Sequence, residues 1–156
     1  MVLIPFVRRA TVVVALLIGL LFVSLVAGQS SSAYYGTYSG GTGQDIVAAG
    51  EQYLGWGYGH GPGQFMCSGF TSQAVAEATG VSLPLDPAAQ MSYGWEPRRM
   101  KPGDLMFFSE DGYSITHVGI YAGDGLILHA SDYFYEVVES DYTYIEGFVG
   151  VRRIRA

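Results

Sequence analysis

The sequence places one thiol and three imidazoles in a chain of 156 residues: Cys67, His60, His117 and His129. Cys67 follows a glycine-rich run and stands at the head of a segment with helical periodicity. A thiol at a helix N-terminus meets unpaired backbone N–H groups and the positive end of the helix dipole, which favour the thiolate. The pattern therefore predicts a nucleophilic cysteine with a lowered pKa, which should react with iodoacetamide even near about pH 6.

A nucleophilic cysteine needs a base within hydrogen-bond reach, and the base needs a third group that fixes its tautomer. His117 lies six residues before the turn at 123–125, and His129 lies four residues after it. These offsets place the two imidazoles near each other across a predicted hairpin, without making them direct partners. The pair is predicted to supply base and orienter to Cys67, although either histidine alone is also compatible with a structural imidazole.

A metal site is the alternative use of the same side chains. Cys67 with two histidines matches one catalytic zinc type. The sequence has neither the Cys-x-x-Cys nor the His-Glu-x-x-His spacing that would support such a site. No metal or cofactor is therefore expected.

A helix must present Cys67, and the residues after it have the spacing of one. Small or apolar side chains recur on one face, at positions 67, 70, 71, 74, 75 and 78. Gly80 suits a helix C-terminus, and Pro84 prevents continuation. A helix is also predicted from about residue 44 to Gly55, and a short one over 86–93, where an Asp-Pro pair supplies N-cap and first turn.

A glycine-rich stretch, residues 55–63, separates the first two helices and carries Trp56 and Tyr58. Alternating glycines let a backbone bend closely around another group, and the aromatic rings offer faces to pack against it. The stretch is predicted to be irregular and to line the site, although such loops also occur as ordinary surface turns.

From Lys101 onward the periodicity changes to that of strands. Turn residues separate five segments with strand character, namely 104–108, 115–121, 126–130, 136–139 and 148–154. Helices first and an antiparallel sheet second is an α+β arrangement.

The N-terminal part of the chain is predicted to direct export. Residues 1–28 combine Arg8 and Arg9 with an apolar run over residues 10–27, as in a signal peptide. That run of about 18 residues is also near the lower limit for a membrane span, so a retained anchor remains an alternative. Residues 29–43, rich in Ser, Gly, Thr and Tyr, are predicted to be a linker, and residues 44–156 to form one domain.

The charge balance limits the partners. The formal net charge is −6, and without Arg8 and Arg9 the remainder has six basic and fourteen acidic residues, or −8. Such a chain has no electrostatic footprint for nucleic acid, and it should repel anionic membranes and polymers at long range. The oligomeric state is left open.

Four motifs, in order along the chain, resemble those of the NlpC family, which are papain-like cysteine peptidases of the bacterial cell wall. They are Cys67-Ser68-Gly69-Phe70, Lys101-Pro102-Gly103-Asp104-Leu105-Met106-Phe107-Phe108, Thr116-His117-Val118-Gly119-Ile120-Tyr121 and Leu128-His129-Ala130. The resemblance covers about residues 44–155. It implies a papain-like α+β core, with Cys67 as nucleophile, His117 as general base and acid, and His129 as the group that orients His117.

The resemblance also implies a substrate and a location. Family members typically hydrolyse peptidoglycan stem peptides in the cell envelope, commonly between γ-D-glutamate and diaminopimelate or lysine. Cys67 would attack, form a thioester and be released by water, with its own backbone N–H as one oxyanion donor.

Two departures from the family pattern affect substrate binding. Family members usually have an Asp before the nucleophile that, with the following serine, helps to recognise the free amine of L-Ala. Here these positions are Met66 and Ser68, and a thioether cannot replace a carboxylate as acceptor. The family's usual Tyr-x-Trp-Gly is replaced by Trp56-Gly57-Tyr58-Gly59, which is expected to put Trp56 in the place of a tyrosine near the nucleophile.

Two other functions are compatible with the same motifs. An amidase or acyltransferase could use the same scaffold, since a fold does not fix the chemistry. A catalytically silent module that binds the cell wall is the second alternative, because of Met66 and the altered loop. The presence of thiol, base and orienter together favours an enzyme.

Overall fold

The fold is described from a computed structural model, for residues 42–155. The predicted export signal or anchor at 1–28 and the linker as far as residue 41 lie outside the described residues. Within 42–155, no helix is both long and apolar enough to cross a membrane.

The first helix, α1 (Gly43–Glu51), begins with a capping box. The Thr42 hydroxyl accepts from the backbone N–H of Asp45, and the Asp45 carboxylate accepts from the backbone N–H of Thr42 at 2.7 Å. Thr42 and Gly43, which the sequence assigned to the linker, therefore belong to the start of this helix.

The second helix, α2 (Cys67–Thr79), begins at the cysteine, as predicted. It ends at Gly80, which takes the left-handed conformation with φ 74°. The third helix, α3 (Pro87–Gln90), has the predicted aspartate cap but is shorter than predicted.

Seven strands form one sheet in the order β2-β1-β6-β5-β4-β3-β7. The strands are β1 (Gly57–Tyr58), β2 (Gln64–Phe65), β3 (Leu105–Phe108), β4 (His117–Gly123), β5 (Leu126–Ser131), β6 (Glu136–Asp141) and β7 (Phe148–Arg152). The last five confirm the strands predicted from sequence, with ends shifted by a few residues.

The sheet corrects two expectations. It is mixed and not wholly antiparallel, because β1 and β2 pair in parallel while the other pairs are antiparallel. The glycine-rich stretch is not wholly irregular, since it contains β1, whose Gly57 also pairs with Glu136 of β6. Glycines at alternate positions did not prevent a two-residue strand at this edge.

The centre of the sheet is buried on both faces. In β3, Leu105 and Phe107 pack on the helix side, and Met106 and Phe108 belong to a second core on the other side. All four are fully buried, which explains why β3 is a continuous apolar run and not an alternating one.

Strands β4 and β5 approach each other closely at Gly119. A Cβ atom there would lie 2.6 Å from Ile127 Cδ1 and 2.9 Å from the Leu128 carbonyl oxygen, so no larger residue fits without displacement. The absence of a side chain at Gly119 therefore allows the close approach of the two strands that carry His117 and His129.

A buried ion pair ties the turn before β3 to the chain just after β7. Arg153 donates from Nε to Asp104 Oδ1 at 2.6 Å and from Nη2 to Oδ2 at 2.8 Å. Asp104 is 1% exposed and also accepts from the backbone N–H of Lys101 at 2.8 Å. A bidentate pair of this kind fixes orientation as well as distance.

Candidate active site

Cys67 occupies the first turn of α2, where backbone N–H groups have no helical partner. The first helical bond runs from the Phe70 N–H to the Met66 carbonyl at 3.0 Å. Met66 is the N-cap, and its side chain makes no capping hydrogen bond. The N–H groups of Cys67 and Ser68 therefore remain available to the sulfur or to an oxyanion.

The sulfur lies against the main chain on both sides of His117. Cys67 Sγ is 3.8 Å from the Thr116 carbonyl oxygen, and the backbone N–H of Val118 is near enough to favour the thiolate and so to lower the thiol pKa. Cys67 is 5% exposed. The packing of α2 on β4 thus puts the nucleophile beside the strand that carries the proposed base.

A buried hydrogen-bond network holds the first turn of α2 in place. The Thr71 hydroxyl lies 2.7 Å from Gln90 Oε1, and Gln90 Nε2 donates to the carbonyls of Ser68 at 2.8 Å and Pro84 at 2.7 Å. Thr71 and Gln90 are both fully buried. Because the network ends on Ser68, it fixes the residue next to the nucleophile.

The two histidines form a hydrogen-bonded chain that ends on a serine. His117 Nε2 lies 2.9 Å from His129 Nδ1, and His129 Nε2 lies 3.2 Å from Ser140 Oγ. If Ser140 accepts from His129 Nε2–H, then His129 Nδ1 must accept from His117 Nε2–H. This assignment leaves the lone pair on His117 Nδ1 as the free basic position.

The thiol and the base are close but not hydrogen-bonded to each other. Among residues 42–155, the hydrogen bond donated by Cys67 goes to the Thr116 carbonyl, not to His117. The thiol proton must therefore turn from that carbonyl to the imidazole before it is transferred. Catalytic hydrogen bonds of free enzymes often shorten only when substrate binds.

Burial favours the neutral form of all three groups. Burial raises the pKa of the Cys67 thiol, and the opposing N–H groups of Val118 and Ser68 only reduce the effect. Burial lowers the pKa of His117 to about 4. Burial, together with the neighbouring His117, lowers the pKa of His129 to about 3. The sequence expectation of a lowered thiol pKa is wrong here, because burial outweighs the helix N-terminus.

We expect the alkylation of Cys67 by iodoacetamide to follow the raised thiol pKa. Because only the thiolate reacts, the rate should increase about tenfold per pH unit from pH 6 to about pH 8.5 and continue to rise above it. Mass spectrometry of the modified protein at timed intervals measures the rate, with N-acetylcysteine as the reference thiol. A plateau between about pH 5 and pH 7 would instead indicate a thiolate–imidazolium pair.

A cleft of about 550 Å³ opens onto the two histidines. Its charged lining is entirely acidic, and its rim is aromatic: Glu110, Asp132 and Glu146, with Tyr133, Phe134 and Tyr144. Burial and the nearby Asp132 charge raise the pKa of Glu110. Cys67 is not among the lining residues, in keeping with its low exposure.

Comparison with known proteins identifies the family. A family model described as the NlpC/P60 family matches residues 50–152, more than half of the chain. The chain belongs to the NlpC/P60 family. The predicted papain-like α+β fold is confirmed by solved structures of this family that superpose on the domain.

Three relatives illustrate the match. A probable endopeptidase p60 of Listeria welshimeri is 44% identical over 95 residues, covering 56% of this chain and 17% of its own. A γ-D-glutamyl-L-lysine dipeptidyl-peptidase of Bacillus subtilis is 42% identical over 98 residues, covering 58% and 32%. The structure of the peptidoglycan hydrolase RipB from Mycobacterium tuberculosis superposes with a TM-score of 0.62 at 27% identity, covering 73% and 65%. The chain thus spans less than a third of the curated relatives it matches.

The two aromatic residues of the NlpC/P60 loop are placed differently from the sequence expectation. Trp56 is 41% exposed, stacks on Phe65 with ring centroids 5.6 Å apart, and meets Tyr53 edge-on at 5.0 Å. The pKa of Tyr58 is raised, mainly by burial and then by the charge of Cys67. Tyr58 thus lies within electrostatic range of the nucleophile, whereas Trp56 packs against Phe65 and Tyr53.

The other two residues predicted to bind substrate lie beside Cys67 but do not line the cleft. Met66 is half-buried at the N-cap of α2. Ser68 is 4% exposed, and its carbonyl is occupied by Gln90 and Thr71. In this family member, both residues support the nucleophile's position through the main chain.

Sequence reasoning missed Ser140 and Gln90. Ser140 lies one residue beyond the predicted strand 136–139, and only the extension of β6 to Asp141 brings it beside His129. Gln90 lay within a predicted short helix, with no signal that it would be buried. A polar residue on an otherwise apolar inner face is the one pattern that could have indicated it.

Proposed function

We propose that this chain is a cysteine peptidase that hydrolyses peptide bonds in peptidoglycan stem peptides, between γ-D-glutamate and diaminopimelate or lysine. The observation that carries the proposal is the position of the Cys67 sulfur, 3.8 Å from the carbonyl oxygen of Thr116, the residue directly before the histidine that is hydrogen-bonded to His129. The family of the chain and the names of its relatives support a peptidase, and the Bacillus subtilis relative supports this bond.

In the proposed reaction, His117 Nδ1 takes the thiol proton as Cys67 attacks the carbonyl carbon. The tetrahedral oxyanion is stabilised by the backbone N–H of Cys67, which needs no reorganisation. The C–N bond then breaks, His117 returns its proton to the leaving amine, and a thioester remains. Water, deprotonated by His117, attacks the thioester and releases the acid and the thiol.

His129 and Ser140 act through His117 in this proposal. The hydrogen bond at 2.9 Å holds Nε2–H of His117 and so keeps Nδ1 unprotonated and directed for proton transfer. A neutral acceptor such as His129 stabilises the imidazolium less than a carboxylate would. The lowered pKa of His117, about 4, keeps it a free base at neutral pH.

The acidic cleft supports a substrate with an ammonium group. Lysine and diaminopimelate both carry an amine beyond the scissile bond, and Glu110 and Asp132 beside the histidines can attract it. This would compensate in part for Met66, which cannot accept a hydrogen bond from the amine of L-Ala. The aromatic rim offers apolar surface to the rest of the stem.

The location follows as part of the proposal. Hydrolysis of stem peptides requires the domain to act in the cell envelope, and the apolar run over residues 10–27 supports export. The same run could be removed as a signal or remain as a membrane tether, with residues 29–41 as the linker to the catalytic domain.

Digestion of defined muropeptides tests this function. Stem peptides with lysine and with diaminopimelate, each with the L-Ala amine free, acetylated or linked to the disaccharide, are incubated with the protein and analysed by mass spectrometry. We expect fragments that end in γ-D-glutamate from free and acetylated stems alike. Cleavage only between sugar and peptide would indicate an amidase. Binding to isolated cell walls without any fragment would indicate a silent module.

A further inference from the structure

All basic side chains of the described domain lie in two short segments that meet. The chain has eight Lys and Arg residues, of which Arg8 and Arg9 precede the domain. The other six are Arg98, Arg99, Lys101, Arg152, Arg153 and Arg155. Residues 42–155 contain no other Lys or Arg, whereas the acidic residues are spread from Asp45 to Glu146.

The two segments are joined by main-chain and side-chain contacts. Trp95 and Arg153 exchange backbone hydrogen bonds at 3.2 and 2.8 Å, and Arg153 Nη2 donates to the Arg99 carbonyl at 3.1 Å. The guanidinium of Arg155 lies 4.8 Å from the centre of the Trp95 ring. The arrangement is therefore held by main-chain hydrogen bonds and not by the flexible side chains alone.

The joined segments line a groove of about 560 Å³, here called the basic groove. Trp95 and Pro97 provide its apolar surface, and Arg98, Arg99 and Lys101 its outer cations. Glu96 is the one carboxylate in the lining, and it lies 3.7 Å from Arg152. The basic groove shares no lining residue with the active-site cleft.

Most of the positive charge in this region is not neutralised. Within residues 42–155, ion pairs to carboxylates are made by Arg152 and Arg153 only. The other four cations, Arg98, Arg99, Lys101 and Arg155, are exposed. On a domain with fourteen acidic residues, four exposed cations in one place form a strong local attraction for anions.

We propose that the basic groove binds an extended anionic polymer whose charges are phosphate esters. The guanidinium fork matches phosphate oxygens, which suits a groove in which arginine outnumbers lysine. Apolar surface at Trp95 and Pro97 between the cations fits a polymer with uncharged units between its phosphates. An extended polymer chain can enter a groove of this kind, whereas the flat surface of a bilayer cannot.

The acidic lining of the active-site cleft supports a binding site for the polymer that is separate from the cleft. The cleft is lined by carboxylates and no cation, so a polyanion is repelled from the active site and attracted to the basic groove. A bound polymer would hold the enzyme in the envelope without competing with the stem peptide. This proposal does not rest on the peptidase function, because the groove contains no proposed catalytic residue.

Binding of fluorescently labelled poly(glycerol phosphate), in which uncharged glycerol units separate the phosphate esters, to the full-length chain in a neutral detergent tests the proposal. Contacts from the three exposed cations that line the groove, Arg98, Arg99 and Lys101, should give a slope of log K against log salt of about −2, at about 0.7 per contact as for single-stranded polyanions. The variant R98Q/R99Q should reduce that slope to about a third and weaken binding at least about tenfold at low salt. The control variant Gln52→Glu/Tyr113→Glu makes the same change in net charge at exposed positions outside the groove and should bind nearly as tightly as the wild type.

Three results would overturn the proposal. Equal losses in the two variants would show that net charge, and not the basic groove, determines binding. Equal affinity for poly-L-glutamate would remove the preference for phosphate. Binding to phosphatidylglycerol vesicles in place of poly(glycerol phosphate) would make a membrane the partner. Muropeptide cleavage is measured on the same samples, so loss of polymer binding with unchanged cleavage supports the groove independently of the peptidase.

Discussion

The variant Cys67→Ala should lose stem-peptide hydrolysis by a factor of roughly 10⁴ or more in kcat/KM, because no other residue can form the thioester. Cys67 is the only cysteine of the chain, so no second thiol can replace it. The rate is measured by mass spectrometry of the released fragment under single-turnover conditions, where residual activity is not hidden by slow product release.

The matched control for Cys67→Ala is Gln73→Ala on the same helix. Gln73 is exposed and its side-chain amide donates to Glu77, so this change should leave kcat/KM within about twofold. Thermal unfolding of both variants shows whether α2 remains folded. If Cys67→Ala kept more than about a hundredth of the activity, Cys67 would not be the nucleophile.

The variant His117→Ala should lose about 10²- to 10⁴-fold in kcat/KM, because general base and general acid are removed together. The loss should be partly reversed by added imidazole, which can enter the space left by the side chain. Initial rates with and without imidazole are compared for the wild type, His117→Ala and Cys67→Ala. Rescue of His117→Ala alone would assign the proton transfer to this position.

Substitution of the residues that are hydrogen-bonded in series to His117 provides a graded test of its role. His129→Gln should reduce kcat/KM less than His117→Ala, and Ser140→Ala less again, since each acts through the one before it. A loss in His129→Gln larger than in His117→Ala would mean that His129 is the base and that the order of the pair is reversed.

The pattern of the sequence was sufficient to predict the elements that carry the site. Helix α2 follows from an apolar face that begins at Cys67 and ends at Gly80, and both signals are local. The proximity of His117 and His129 was predicted from their similar offsets from the turn that joins the two strands. The distance of 2.9 Å between His117 Nε2 and His129 Nδ1 agrees with that prediction. Short-range periodicity and turn residues determine these features.

Features that depend on tertiary contacts were not predictable in the same way. The pKa of Cys67 depends on how deeply α2 packs on β4, and the sequence shows only the helix N-terminus. The parallel pair β1 and β2 is held by partners that lie far apart in the chain, such as Glu136. Ser140 depends on where β6 ends, which is the least reliable part of a strand prediction.

The distribution of charge over the surface also depends on tertiary contacts that the sequence does not show. A net charge of −6 led to the expectation that anionic polymers are repelled, and this expectation describes only the average over the surface. The position of Arg153, held by Asp104 next to Arg99, brings two distant basic segments together. An average over the composition cannot contain this arrangement.

The hydrogen bond from Cys67 to the Thr116 carbonyl also affects how long the nucleophile survives. Oxidation to sulfenic and sulfinic acids proceeds through the thiolate, and it is fastest for exposed thiols of low pKa. A thiol that is 5% exposed and kept protonated by its surroundings reacts slowly with peroxide. At the proposed location in the cell envelope, where no cytoplasmic reductant restores a damaged cysteine, we expect this resting state to protect the nucleophile until a substrate arrives.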